Sequence, residues 1–150
     1  MWNTPYALTD GRAGAIWVSR VKGDIDGSVA ATTHLFQQVV DKVADVRLTV
    51  VGDRMWAVRM DGSPGLDWRC HYDALSYTVI ETPIEVATGV RAFLESFELV
   101  FGALDFGIDS EGGWLLYECN PNGQWAWFGE SVTSEIASAL ADQLQFAEAP

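Results

Sequence analysis

Residues 103–124 read ALDFGIDSEGGWLLYECNPNGQ, from Ala103 to Gln124, and the alternation within them decides the fold. Successive strand residues point to opposite faces, so Ala103, Asp105 and Gly107 share one side while Leu104, Phe106 and Ile108 share the other. Asp109-Ser110-Glu111-Gly112-Gly113 carries the glycines of a tight reversal. Beyond it Trp114, Leu116, Glu118 and Asn120 alternate with Leu115, Tyr117 and Cys119. With a loop of Ser110 to Gly113, Asp109 pairs with Trp114, and an even antiparallel ladder then sets Asp105 opposite Glu118, their Cβ atoms about 5 Å apart. Two facing carboxylates are destabilising unless a proton is held between them or a cation sits there. Mg²⁺ takes hard oxygen ligands, and Asp105, Glu118 and the Asn120 amide oxygen suit it. A register one residue away turns Asp105 from Glu118 and leaves two ordinary solvated charges. Spacing alone leaves both readings open.

Outward from this hairpin, Asp45 to Met60 forms two β-rich segments around Gly52-Asp53, a dipeptide suited to a primed two-residue turn. Ideal pairing sets Val58, not Arg59, opposite Arg47, so the two arginines point to opposite faces and Arg47 is the better candidate for a site. Thr82-Pro83-Ile84-Glu85 reads as N-cap, first-turn proline and capping-box glutamate of a helix ending near Phe97, with Val86, Val90, Phe93, Leu94 and Phe97 on its apolar face. Val132 to Leu144 predicts a second helix, with Ile136, Leu140 and Leu144 at helical spacing behind candidate caps Ser131 and Thr133. Ala15 to Val21 predicts one short strand, and His34 precedes Leu35-Phe36 on an expected buried strand as a structural histidine. The order of strands, helix, strands, helix gives an α+β fold: a mainly antiparallel sheet with helices packed on one face.

Composition narrows the function classes. The 150 residues, 49% of them hydrophobic, suffice for one domain burying roughly two-thirds of its unfolded surface. The formal charge of −12 opposes non-specific nucleic-acid binding, so no nucleic-acid partner is expected and any phosphate must be held locally. No run approaches the roughly 20 apolar residues of a membrane span, and a cytoplasmic location without membrane partner is expected. Cys70 and Cys119 fit neither a disulfide framework nor a zinc motif and are expected to be small core residues. Gly23-Asp24-Ile25-Asp26-Gly27 lacks the glutamate and flanking helices of a calcium loop and reads as a turn. Gly11-Arg12-Ala13-Gly14 lacks the lysine of a P-loop.

The aspartate, the hairpin and the closing run Glu118-Cys119-Asn120-Pro121-Asn122-Gly123-Gln124 resemble the metal-binding end of ATP-grasp ligases. Within that superfamily the full run most resembles the maturases of ribosomally made peptides. His34-Leu35-Phe36-Gln37, Asp45 to Asp53 and Asp67-Trp68-Arg69 extend the resemblance over nearly the whole chain. It implies that Asp105, Glu118 and Asn120 bind Mg²⁺, that Arg47 and Arg69 contact phosphate or the activated carboxylate, and that Gln37-Gln38-Val39-Val40 contacts the adenine of ATP through its backbone. The implied reaction is activation of a precursor-peptide carboxylate as an acyl phosphate, followed by attack of a hydroxyl or amine of the same peptide to give an ester or amide. Gln38 stands where the family usually has an acidic residue. The complete fold begins with an N-terminal domain and a nucleotide-binding lysine that neither Lys22 nor Lys42 matches, so residues 1–150 are expected to be a partial ATP-grasp domain. The rival expectation is a non-catalytic remnant: a folded nucleotide- or peptide-binding module, or a fragment whose exposed edge pairs with a partner or another copy. Trp125 and Trp127 flank the presumed phosphate end as candidates for a peptide groove.

Overall fold

Lys42–Val51 forms the long central strand β3, whose residues from Ala44 onward are buried whichever way they point. In the computed structural model, which describes residues 6–7, 13–14, 17–25, 27–31 and 33–146, β3 is the middle of a five-stranded antiparallel sheet. Before it, β1 (Tyr6–Ala7) and β2 (Ala13–Gly14) form a separate short pair. After it come β4 (Arg54–Asp61), β5 (Ser76–Ile80), helix α1 (Ile84–Ser96), β6 (Phe101–Asp109), β7 (Trp114–Asn120) and helix α2 (Glu130–Phe146). The sheet order is β5-β4-β3-β6-β7. No helix among the described residues is long and apolar enough to cross a membrane.

The first hairpin has the expected register, Arg47 opposite Val58, and Gly52 turns it with φ 55, a conformation that a Cβ disfavours. Val46, Leu48 and Val50 of β3 join Leu104, Phe106 and Ile108 of β6 and Val90 and Leu94 of α1 in the main core. Alternation sends Asp45, Arg47 and Thr49 to the other face, where all three are nonetheless buried. The α+β class stands, with a difference in helix placement: α1 covers the main core, while α2 packs Val132, Ile136 and Ala139 on Val51 and Val58 at one end of the opposite face. Those two valines break the polar run of that face and supply the apolar surface α2 needs.

Several local expectations are corrected. Pro83, with ψ 144, is itself the N-cap of α1, so Thr82 lies outside the helix. Phe97 is 62% exposed because the chain leaves the helix there, Glu98 following with φ 54. Helix α2 starts at Glu130, which places Ser131 and Thr133 inside it rather than at its cap, and Leu144 is 79% exposed. Residues 17–21 are irregular rather than a strand, the Val18 N–H bonding the Asp67 carboxylate (3.1 Å) instead of a ladder; Ala15 and Ile16 lie outside the described residues. His34, Leu35 and Phe36 are exposed and not in a strand. Cys119 packs against the main core, but Cys70 is exposed on a short 3₁₀ turn. Of the two glycine-rich segments, Gly11, Arg12 and Asp26 lie outside the described residues.

Candidate functional site

The second hairpin brings Asp105 and Glu118 face to face by an unexpected route. Its ladder begins Ile108–Trp114 and Phe106–Leu116, one residue off the even register, and then shifts so that Asp105 pairs with Glu118 and Ala103 with Asn120. Tyr117 is the extra residue of this bulge. The bulge reverses the alternation along β7, so Trp114 is not on the Glu118 face as expected but packs on Phe106 in the main core, ring centroids 5.4 Å apart. Tyr117 lies over Gly107, where an added Cβ would fall 2.0 Å from its hydroxyl.

Arg47, on the neighbouring strand, completes the cluster. It pairs with Asp105 in the ladder and grips its carboxylate with two hydrogen bonds, Nε to Oδ1 (2.6 Å) and Nη2 to Oδ2 (3.1 Å). Its Nη1 donates to the Gln124 carbonyl (3.3 Å), and its guanidinium carbon lies 5.9 Å from the Trp68 ring and 6.0 Å from the Trp127 ring. The side chain is 1% exposed. A guanidinium so buried needs this bidentate acceptor and these ring faces to replace its hydration. Burial pushes the Glu118 carboxyl up from its ordinary range; the adjacent Asp105 charge and a hydrogen bond between the two carboxyls add to the rise, while Arg69 and Arg47 oppose it.

Arg69 stands on the turn Trp68–Cys70 and is held by Asp67, Nε to Oδ1 and Nη2 to Oδ2 both at 2.7 Å. Burial raises the Asp67 pKa, but hydrogen bonds from Arg69 and the Val18 N–H, with the Arg69 charge, outweigh it and hold the carboxyl below its ordinary value. A depressed carboxyl contributes stability that is present above the unfolded pKa and lost as pH falls through the folded one. Asp67→Asn is therefore expected to lower stability at pH 7 and to flatten the acid limb below about pH 4, measured by denaturant unfolding across pH.

Asn120 turns the chain out of β7, its Oδ1 accepting from the Asn122 N–H (2.9 Å). The loop then folds back over β6, so that a Cβ on Gly123 would meet the Ala103 Cβ at 2.3 Å. Gly123→Ala is expected to cost about 1–3 kcal/mol in denaturant unfolding, because neither the strand nor the Asn120 carbonyl, 3.3 Å away, yields easily.

Asp105, Glu118, Asn120, Arg47 and Arg69 thus gather on or beside one face. Arg59 points to the other face and pairs with Asp61 (2.8 Å). The Gln37–Val40 segment has no regular secondary structure, and the Gln37 Nε2 donates to the Tyr117 carbonyl (3.0 Å), which ties it beside Glu118. Trp125 packs against the α2 core, whereas Trp127 stacks on Trp68 with centroids 5.5 Å apart. Sequence reasoning missed Asp45, two residues from Arg47 on the same face and bound by Lys42 at 2.6 Å; period-two alternation carries that signal. It also missed Trp68 as a neighbour of Arg47, which no spacing reveals.

Known structures share this arrangement of strands and helices. A RiPP-associated ATP-grasp ligase from Chryseobacterium gregarium, in complex with ADP and a leader and core peptide, matches 98% of this chain and 47% of its own at 23% identity and TM-score 0.76. The chain has an ATP-grasp fold. The macrocyclase MdnC from Microcystis aeruginosa MRC, bound with precursor peptide MdnA, matches 71% of this chain and 34% of its own at 21% identity and TM-score 0.60. The ATP-grasp ligase PsnB, complexed with a phosphomimetic variant of a minimal precursor, Mg and ADP, matches 68% of this chain and 34% of its own at 16% identity and TM-score 0.50. The chain therefore spans between a third and a half of the length of these structures. No protein-family model and no curated protein matches the sequence.

Proposed function

We propose that this chain supplies the metal- and phosphate-binding part of an ATP-grasp ligase that cross-links a precursor peptide. The observation that carries the reading is the meeting of Asp105, Glu118 and Asn120 with two anchored arginines on one side of the sheet. The three oxygen donors fit Mg²⁺: two are facing carboxylates whose mutual repulsion a dication relieves, and the third is an amide oxygen with a second lone pair beyond its bond to Asn122. Bound there, Mg²⁺ would neutralise phosphate charge.

Asp67 fixes the direction of the Arg69 cation, which is assigned the negative charge of the transferring phosphoryl group, while the buried Arg47, its fork filled by Asp105, is assigned a supporting positive charge beneath the site. In the reaction, a peptide carboxylate oxygen attacks the γ-phosphorus of ATP, ADP leaves, and a hydroxyl or amine of the same peptide attacks the acyl carbon. Phosphate then departs, a proton is lost, and an ester or amide remains. No side chain of this chain is required as a covalent nucleophile. The Gln37–Val40 segment, tied to β7 one residue before Glu118, is assigned to adenine. The peptide- and nucleotide-bearing complexes that share the fold support these assignments.

The test pairs calorimetric titration of Mg-ADP with mass spectrometry of acidic peptides incubated with Mg-ATP. Binding together with loss of one water per cross-link is expected. Binding without turnover would assign the chain to the non-catalytic module, and no nucleotide binding would sink the reading.

A further inference from the structure

Two irregularities of the sheet converge on Gly107. In β3 the ladder passes from Lys42–Asp109 to Ala44–Ile108, so Val43 is an extra residue, as Tyr117 is in β7. Simple alternation would send Lys42, three residues from Asp45, to the main-core face. The bulge at Val43 re-aims it to the face of Asp45, which pairs with Gly107. Tyr117 covers the same glycine from β7.

The Lys42 ammonium, on a side chain 10% exposed, donates to both Asp45 carboxylate oxygens (2.6 and 2.7 Å) and to the Leu66 carbonyl (2.9 Å). An ammonium has three protons, and these three acceptors take them all. None is left for a ligand. The same ammonium lies 6.0 Å from the centre of the Tyr117 ring. Lys42 thus meets three parts of the site at once. Asp45 stands two residues from Arg47, Leu66 immediately precedes the Asp67 that grips Arg69, and Tyr117 immediately precedes Glu118.

We propose that Lys42 is a positioning residue that fixes the turn carrying Arg69 against the strand carrying Glu118. Its part in catalysis rests on the ligase reading above: with Arg69 on the phosphoryl group and Glu118 on the metal, the span between them must match a Mg-triphosphate. Asp67 aims Arg69 but cannot set that span, because it caps the turn on which Arg69 itself rides. The bond from Lys42 to Leu66 ties this turn to the central strand of the sheet.

The test compares Asp45→Asn with the double variant Lys42→Met, Asp45→Asn. In the first, Lys42 keeps an amide oxygen and the Leu66 carbonyl as acceptors. In the second the tie to Leu66 is lost, yet no buried carboxylate is left without its cation, so the fold is spared the cost of Lys42→Met alone. One readout is hydrogen exchange of the Arg69 Nε–H against the core amides of Val46 and Leu48. The other is the dissociation constant for the non-hydrolysable imido analogue of Mg-ATP. Asp45→Asn should stay near wild type in both. The double variant should exchange the Arg69 Nε–H about tenfold faster with the core amides unchanged, and should bind the analogue about tenfold more weakly. An Arg69 Nε–H that exchanges alike in the two variants, or that speeds up by the same factor as the core amides, would overturn the proposal. So would equal affinity in the two variants when wild type binds the analogue. If wild type binds no nucleotide but the Arg69 difference remains, the tie stands and the ligase reading alone sinks.

Discussion

Arg47→Ala should destabilise the protein by about 3–5 kcal/mol, the range for removing one partner of a buried ion pair. Three losses combine. The bidentate bond to Asp105 disappears, leaving that carboxylate beside Glu118 with no guanidinium against it. The hydrogen bond to the Gln124 carbonyl goes, which loosens the loop after Asn120. A void opens beside the stacked Trp68 and Trp127 rings, over which the guanidinium now lies. Lysine does not restore the pair, because an ammonium cannot match the fork. Denaturant unfolding of Arg47→Ala, Asp105→Asn and the double variant forms the test. The double variant should be less destabilised than the two singles added together, since the uncompensated carboxylate is then gone. Strict additivity would mean that the pair contributes nothing as a pair.

Much of this arrangement is legible in the sequence because alternation is a strict rule within an unbroken strand. Arg47 opposite Val58, and Arg59 turned away, follow from a two-residue turn at Gly52-Asp53 and nothing else. The Asp105–Glu118 pairing is legible only in its outcome. An even ladder reaches it from Asp109–Trp114, whereas the chain starts at Ile108–Trp114 and recovers the register through the bulge at Tyr117. A bulge leaves no compositional mark here, so simple alternation puts Trp114 and Leu116 on the wrong face. The grouping of Arg47 with the stacked Trp68 and Trp127 joins residues far apart in sequence, and no local period reports such a contact. Helix α2 illustrates the same limit: its apolar spacing shows that it must bury a face, but which face of the sheet receives it depends on Val51 and Val58 lying on one face of the hairpin. At Thr82-Pro83 the cap signal is misread by one residue, because the extended ψ of Pro83 lets its own carbonyl take the first helical bond, from the Ala87 N–H at 2.9 Å.

Replacing Glu118 by glutamine should move two measurements in opposite directions. In the metal-free protein, burial and the neighbouring Asp105 raise the Glu118 pKa. A carboxyl raised on folding contributes stability that is full below its unfolded pKa, near 4.3, and is lost as pH rises through the folded value. Wild type should therefore lose stability across that rise, and Glu118→Gln, with nothing to ionise there, should not; by pH 8 the variant is expected to be the more stable. With Mg-ATP the order reverses. A ligand at 100 times its dissociation constant stabilises the native state by about 2.7 kcal/mol, a melting shift of several degrees for a domain of this size. If Glu118 is one of the oxygen donors for Mg²⁺, the variant exchanges an anionic ligand for a neutral amide and should lose most of that shift. Thermal melts at pH 8 and denaturant unfolding from pH 4 to pH 8, each with and without Mg-ATP, separate the two effects. A variant that is less stable than wild type at pH 8 without metal would show that the hydrogen bond to Asp105 outweighs the repulsion. A variant that keeps the full shift with Mg-ATP would remove Glu118 from the metal site, and leave Asp105 and Asn120 too few donors to hold the ion by themselves.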